Sequence, residues 1–271
     1  MSRLIRLLLA YDGTAYSGWQ RQAQGESTVQ ATLEARLALI CGHAVTLHGA
    51  GRTDAGVHAL GMVAHFQTMV SHPLAAFSRG LNALLPPDIR ILEAREAGPN
   101  FHSRFSACAK IYRYDFYTGQ ILPPTRRLYL GHIPGDFDVI PARAALALLL
   151  GSHDFLCFAH APDLHEGGRG TVRTLYAASC EAMPDLPGGW SLRLKGDGFL
   201  RQSVRIMTGT IVEIGQGKRM VASIPAILAA KDRRLAGKTA PACGLFLEQV
   251  LYPEGVSPFK PLLIAFKFLF R

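Results

Sequence analysis

Acidic residues are scarce in this chain, with 20 Asp plus Glu against 29 Lys plus Arg over 271 residues, for a net charge of +9. That imbalance favours a polyanionic partner, nucleic acid ahead of membrane, although a basic enzyme with no such partner has the same composition. Cysteine is sparse and unpaired in pattern: Cys41, Cys108, Cys157, Cys180 and Cys243 are an odd set, widely spaced, with no CxxC. This argues against a disulfide framework or a zinc knuckle and fits a reducing, cytoplasmic setting. The apolar run Pro261 to Phe270 is interrupted by Lys267 and falls far short of the roughly 20 residues that span a bilayer, so no membrane partner is expected. Met1 to Ala10 is apolar, but Tyr11-Asp12-Gly13 follows at once with no small-residue cleavage site, so it reads as a strand and not a leader. The ten histidines form no HExxH or other paired spacing, and there is neither a dinucleotide fingerprint nor a P-loop. No metal and no cofactor is expected. A 49% apolar and 18% charged composition excludes general disorder.

What is present is a mixture of strands and helices in both halves. Arg3 to Ala10 reads as a buried strand. Ser27 and Gln30 resemble a capping box, followed by Val29, Leu33, Leu37 and Ile40 on one helical face and Gly42 as a stop. Val45 to His48 and Met62 to Thr68 read as strands, a helix begins near Pro73, and Ile89 to Ala94 is a strand. In Ile111 to Tyr117 the residues Tyr112, Tyr114 and Phe116 share one face. Pro141 to Leu150 reads as a helix with Gly151 as its stop, Thr171 to Glu181 and Trp190 to Lys195 as strands, and Phe199 to Ile214 as a helix. A short helix over Ile224 to Ala230 and a strand over Leu245 to Leu251 follow. No low-complexity linker and no repeat is visible. The expected class is α+β, with an N-terminal half at 1–103, a C-terminal half at 104–260 and an apolar tail at 261–271.

The most informative stretch is Gly49-Ala50-Gly51-Arg52-Thr53-Asp54-Ala55-Gly56-Val57-His58. Its glycines allow a tight, closely approached backbone. A cation, a hydroxyl and a carboxylate stand in consecutive positions on a loop between strands, where reactive groups are commonly presented. An Asp in a glycine-rich loop is, by itself, more often a turn former.

Gly51 to His58 resembles the signature of the TruA family, the tRNA pseudouridine synthases of the anticodon arm. Other blocks agree in order: Tyr11-Asp12-Gly13-Thr14 with Tyr16 and Gly18-Trp19-Gln20; Thr28-Val29-Gln30 with Leu33-Glu34; Phe101-His102-Ser103-Arg104-Phe105-Ser106 with Lys110, Tyr112 and Tyr114; Asp154-Phe155; Phe199 with Val204-Arg205; Ala230-Lys231-Asp232-Arg233; and Gly244-Leu245. The resemblance runs from about residue 4 to about residue 253. Two departures stand out: Met62 where the family usually has Gln, and Ala159 where an Arg is common.

The resemblance implies a pseudouridine synthase fold, two α+β halves whose antiparallel sheets join around a central active-site cleft. It implies a homodimer acting on tRNA. The implied reaction isomerises uridine to pseudouridine in the anticodon stem-loop, positions 38–40 of the tRNA. The N1–C1′ bond breaks and a C5–C1′ bond forms without redox change or added atoms, so no cofactor is required. Asp54 is then the essential carboxylate, whether it attacks C1′ or C6 or promotes a glycal route. Arg205 is its family-matched partner, otherwise a surface helix arginine. Tyr112 is the residue packed on the uracil, with its hydroxyl a candidate carrier of the C5 proton; bare sequence reads it as sheet core. Arg52 helps extrude the nucleotide or clamps a phosphate, Phe199 adds an apolar wall, and Lys110 joins the substrate-binding set. A stacked uridine must be flipped out at a few kcal/mol. Basic clusters at 104–127 and 218–238 are expected to face the RNA backbone. Two rival readings remain distinct: a non-catalytic RNA-binding module with the same fold, and a metal-dependent hydrolase using Asp54 and nearby histidines.

Overall fold

The computed structural model describes residues 2–23, 25–160, 170–255 and 259. The described residues pack as two units that are discontinuous in sequence: those in 2–53 with 59–108 and 249–255, and those in 54–58 with 109–248. The expected boundary at 103/104 divides the linear chain once, whereas 54–58 group with the second unit and 104–108 and 249–255 with the first. The expected tail at 261–271 lies outside the described residues.

In the first unit the apolar run Arg3–Tyr11 forms β1, with Ile5, Leu7 and Leu9 fully buried. It pairs antiparallel with β3 (His58–Thr68) on one side, Leu7 opposite Ala64, and with β4 (Ile89–Ala97) on the other, Leu7 opposite Ala94. A two-residue β2 (His48–Gly49) pairs with β3. Helix α1 (Val29–Cys41) buries Val29, Leu33 and Leu37; Thr28, not Ser27, caps it by accepting from the Ala31 amide, and Gly42 ends it at φ 69°. Leu74–Phe77 is a single 3₁₀ turn before the short α2 (Arg79–Leu84).

In the second unit β5 (Ala109–Tyr117), β9 (Gly189–Gly196), β8 (Val172–Ala182) and β7 (Gly151–Asp154) lie side by side and antiparallel, and β6 (Gly131–His132) runs parallel to β5. Helix α3 (Val139–Ala147) is capped by Asp138. Helix α4 (Ser203–Gly215) is buried almost all round, α5 (Ser223–Ala230) follows, and β10 (Leu245–Leu251) starts in the second unit and ends in the first. Each unit combines helices with antiparallel strands, so the class is α+β. Among the described residues no helix is long and apolar enough to cross a membrane.

Candidate active site

The glycine-rich loop is built from two anchored ends. Its first part is held in the first unit: the Thr53 hydroxyl is 2.8 Å from the Tyr11 hydroxyl, and the Thr53 carbonyl accepts from the Trp19 amide at 3.1 Å. Thr53 and Trp19 are both buried, so the residue before Asp54 has little freedom. Arg52, beside it, donates through Nε to Gln20 Oε1 at 3.2 Å.

Asp54 opens the five-residue segment that belongs to the second unit. The Val57 amide donates to the Asp54 carbonyl at 3.2 Å, closing a turn over Ala55 and Gly56. Gly56 sits at φ 73°, where a side chain would be strained. His58 ends the segment as a clamp: its Nε2 lies 3.0 Å from the Leu128 carbonyl and 3.2 Å from that of Cys243. Its ring stacks on Phe246 at 4.8 Å. The histidine supports the loop and is spent on backbone acceptors.

The Asp54 carboxylate meets Arg205, whose Nη1 is 3.3 Å from Oδ2; the side chains are 25% and 15% exposed, respectively. A charge pair so little hydrated couples more strongly than one on an open surface. Arg205 is aimed by two further contacts. Its Nε donates to the Ala240 carbonyl at 2.8 Å, and its own carbonyl accepts from the Ala240 amide at 3.1 Å. The 236–240 segment that supplies Ala240 lies tightly on α4. Gly209 makes this approach possible, since a Cβ there would fall 1.7 Å from the Lys238 carbonyl oxygen. Thr210 Oγ1 accepts from the Gly237 amide at 2.8 Å in the same seam.

Tyr112 projects from β5 and is buried, with the edge of Phe199 against its ring at 5.1 Å and 79°. Burial first, and the Asp54 charge second, push its phenol above the usual tyrosine range. The hydroxyl therefore holds its proton at neutral pH and is a poor base as it stands. Tyr114 and Phe116, on the same face, are sheet core. Phe199 stands in the loop before α4, not inside the helix as the periodicity suggests. The chain turns into α4 through Gln202 at φ 59°, an uncommon conformation for a non-glycine residue. Phe199, Phe155, Leu175, Ser203 and Met207 are among the residues lining a partly open hollow of about 10 Å³, which is water-sized. The structure thus brings Asp54, Arg205, Tyr112 and Phe199 together within the second unit.

A family model described as tRNA pseudouridine synthase matches residues 8–106 and 145–253. The chain belongs to that family. tRNA pseudouridine synthase A 1 of Desulfotalea psychrophila is 45% identical over 253 residues, covering 92% of this chain and 100% of that protein. tRNA pseudouridine synthase A of Geobacter sp. strain M21 is 47% identical over 253 residues, covering 93% and 100%. The enzyme of the same name from Geobacillus kaustophilus is 45% identical over 255 residues, covering 94% and 96%. A chain in a crystal structure of an archaeal box H/ACA sRNP matches at TM-score 0.32 and 12% identity, covering 77% of this chain and 44% of that one. That likeness is too slight to carry weight. The tRNA pseudouridine synthases are an isomerase family, so the resemblance read from Gly51 to His58 holds at the level of family and reaction class.

Within this pseudouridine synthase some expected residues behave differently. Arg113 faces inward, with Nε 3.0 Å from Asp115 Oδ2 and its guanidinium over the Phe246 ring at 4.8 Å, so it is no exposed phosphate contact. In the second basic cluster Arg219 pairs with Glu213, Lys231 with Asp154 and Arg234 with Asp232. Lys110 is half-buried on β5, opposite Gly196. Met62 is fully buried on β3 opposite Leu9, and Ala159 is buried after the 3₁₀ turn Leu156–Phe158. His153 contacts the Leu150 carbonyl, and His165 lies outside the described residues. Among the described residues no cluster of His, Cys, Asp or Glu could hold a metal ion. Sequence reading missed Thr53 and Ala240 as supports. Ala240 acts through its carbonyl, which no side-chain pattern reveals; Thr53 was visible only as a neighbour of the carboxylate.

Proposed function

We propose that this chain converts uridine to pseudouridine in the anticodon stem-loop of tRNA, positions 38–40, without a cofactor, as a cytoplasmic homodimer. The observation that carries the reading is the Asp54–Arg205 pair beside Tyr112 in a chain of the tRNA pseudouridine synthase family. Asp54 is the nucleophilic carboxylate. Arg205 holds its orientation and offsets its charge where water is partly excluded. Tyr112 packs on the extruded base, Phe199 supplies a second apolar wall, and Arg52 and Lys110 bind the RNA around it. The glycosidic N1–C1′ bond breaks, C5 bonds to C1′, and the proton lost from C5 is balanced by one gained at N1. The protonated Tyr112 favours packing over proton abstraction by that residue, leaving a water-relayed transfer for the last step.

The test is release of tritium from C5-labelled uridine in tRNA, with mapping of pseudouridine along the anticodon arm. Product at anticodon-arm uridines, lost in Asp54→Asn, is the expected result. Binding of tRNA with no pseudouridine formed in any anticodon arm would favour the non-catalytic RNA-binding module. A sedimentation mass near twice 29.4 kDa is expected for the homodimer.

A further inference from the structure

The segment Phe101–Ser106 belongs to the first unit and is fastened at almost every residue. Phe101 is buried, with its ring against Tyr252 at 5.4 Å and edge-on to His65 at 5.9 Å. Ser103 is fully buried: its amide donates to His65 Nδ1 at 3.1 Å, its hydroxyl to the His48 carbonyl at 2.7 Å, and its carbonyl accepts from the Tyr252 hydroxyl at 2.6 Å. The amides of Arg104 and Phe105 both donate to His102 Nδ1, at 3.1 and 3.2 Å. The His102 amide donates to the Ser106 hydroxyl at 3.0 Å.

This rigid turn ends by pushing a phenylalanine outward. Phe105 is 74% exposed. Its ring lies on the His102 imidazole at 4.3 Å and 31°, and the Arg104 guanidinium is 5.8 Å from the ring centre. The aromatic series continues inward: His102 to His65 at 4.6 Å, and His65 to His48 at 5.1 Å, nearly parallel. His48 and His65 in turn line a hollow of about 350 Å³ with Ala44, Val45, Thr46 and Gln67, a volume in the range of small-ligand sites. A metal reading fails on the nitrogens, because Nδ1 of both His65 and His102 accepts backbone N–H and the cluster does not qualify as a metal site.

The geometry points to a second nucleobase-stacking site, on the first unit, in which Phe105 backed by His102 takes an unpaired base of the RNA and Arg104 takes its phosphate. An exposed ring held by a preformed turn loses little entropy on stacking. Stacked rings beside a cation are the pattern by which single-stranded nucleic acid is bound. The positive balance of the chain fits a polyanionic partner better than a second copy of the same basic chain. This inference rests on the reading of tRNA as substrate, and locates a contact on the unit that does not carry Asp54, Tyr112 and Arg205.

The experiment measures tRNA affinity of the full chain carrying Asp54→Asn, so that bound tRNA is not consumed, alone and with Phe105→Ala, Phe105→Trp or Arg104→Ala. Phe105→Ala is expected to weaken binding about tenfold with an unchanged slope of affinity against salt. Phe105→Trp should stay within twofold, and its added indole emission should be quenched by tRNA and by oligouridylate. Arg104→Ala should lower the salt slope by about one. In the enzyme with Asp54 intact, Phe105→Ala should leave the rate at saturating tRNA within about twofold. Affinity of Phe105→Ala within twofold of its parent overturns the proposal. So does a loss accompanied by a changed sedimentation mass, which would assign the ring to a contact between copies. A chain that makes no pseudouridine in tRNA fails the functional reading instead, and quenching by oligouridylate still reads the stacking site independently.

Discussion

At the residue scale, Asp54 and Arg205 make separable contributions. Asp54→Asn keeps the size of the side chain but removes the carboxylate proposed as the nucleophile, and turnover should fall at least about 10³-fold with tRNA affinity changed only a few-fold. Arg205 touches Asp54 and the Ala240 carbonyl. Arg205→Ala should therefore slow turnover by about 10–100-fold while affinity moves less than about threefold; the reverse pattern in single-turnover and binding assays would make it a docking residue. Tyr112→Phe removes a hydroxyl that holds its proton and keeps the ring, so bond cleavage and product formation should both persist within about tenfold. Accumulation of cleaved but unrearranged nucleoside would instead identify the hydroxyl as the proton carrier. His65 gives a stability prediction. Burial, then the charges of His102 and His48, depress it to about 4. The unfolded chain takes up that proton near pH 6.5, before the folded one, so stability falls as the pH drops from about 6.5 towards 4, by at most on the order of 3 kcal/mol. The melting temperature of His65→Asn, which keeps an acceptor for the Ser103 amide and cannot titrate, should fall less steeply over that window.

At the element scale, the seam between α4 and residues 236–240 is where packing reaches the chemistry. Gly209→Ala would drive a methyl group into the Lys238 carbonyl. The segment must then shift, at about 1–3 kcal/mol of stability, and with it the Ala240 carbonyl that aims Arg205. A lowered melting temperature together with a reduced turnover number is the expected pair of results; a melting change alone would uncouple the seam from the site. The same element shows how far sequence reading reaches. The Ile206–Thr210–Ile214 repeat makes α4 legible, but its start at Ser203 is not, since a left-handed Gln202 carries no sequence mark. Strand β7 was hidden because Gly151 looks like a helix stop and Gly-Ser-His-Asp lacks apolar alternation. The cap of α1 shifts from Ser27 to Thr28 because either hydroxyl suits the position. Strand β10 is legible at both ends, Leu245 and Leu251, because apolar residues flank its central Glu248 and Gln249. The Asp54 loop was legible from its composition and from family resemblance, whereas Arg205, 151 residues away, was reachable only through the resemblance.

At the scale of the whole molecule, the charge is less available than its total suggests. Arg113, Arg219, Lys231 and Arg234 are taken up by carboxylates of the same chain. The slope of log affinity against log salt should therefore correspond to fewer phosphates than the 29 basic residues would allow. Chelators should leave turnover unchanged, where a metal-dependent hydrolase would stop. The discontinuity of the two units in sequence has a consequence for genetics. Asp54–His58 groups with 109–248, and 249–255 groups with 2–53 and 59–108. Severing the gene between codons 108 and 109 would leave each fragment missing a piece that its own body needs, and the carboxylate would travel on the wrong fragment. Activity reconstituted by co-expression would then require strand exchange between the fragments and not mere docking of two finished globules.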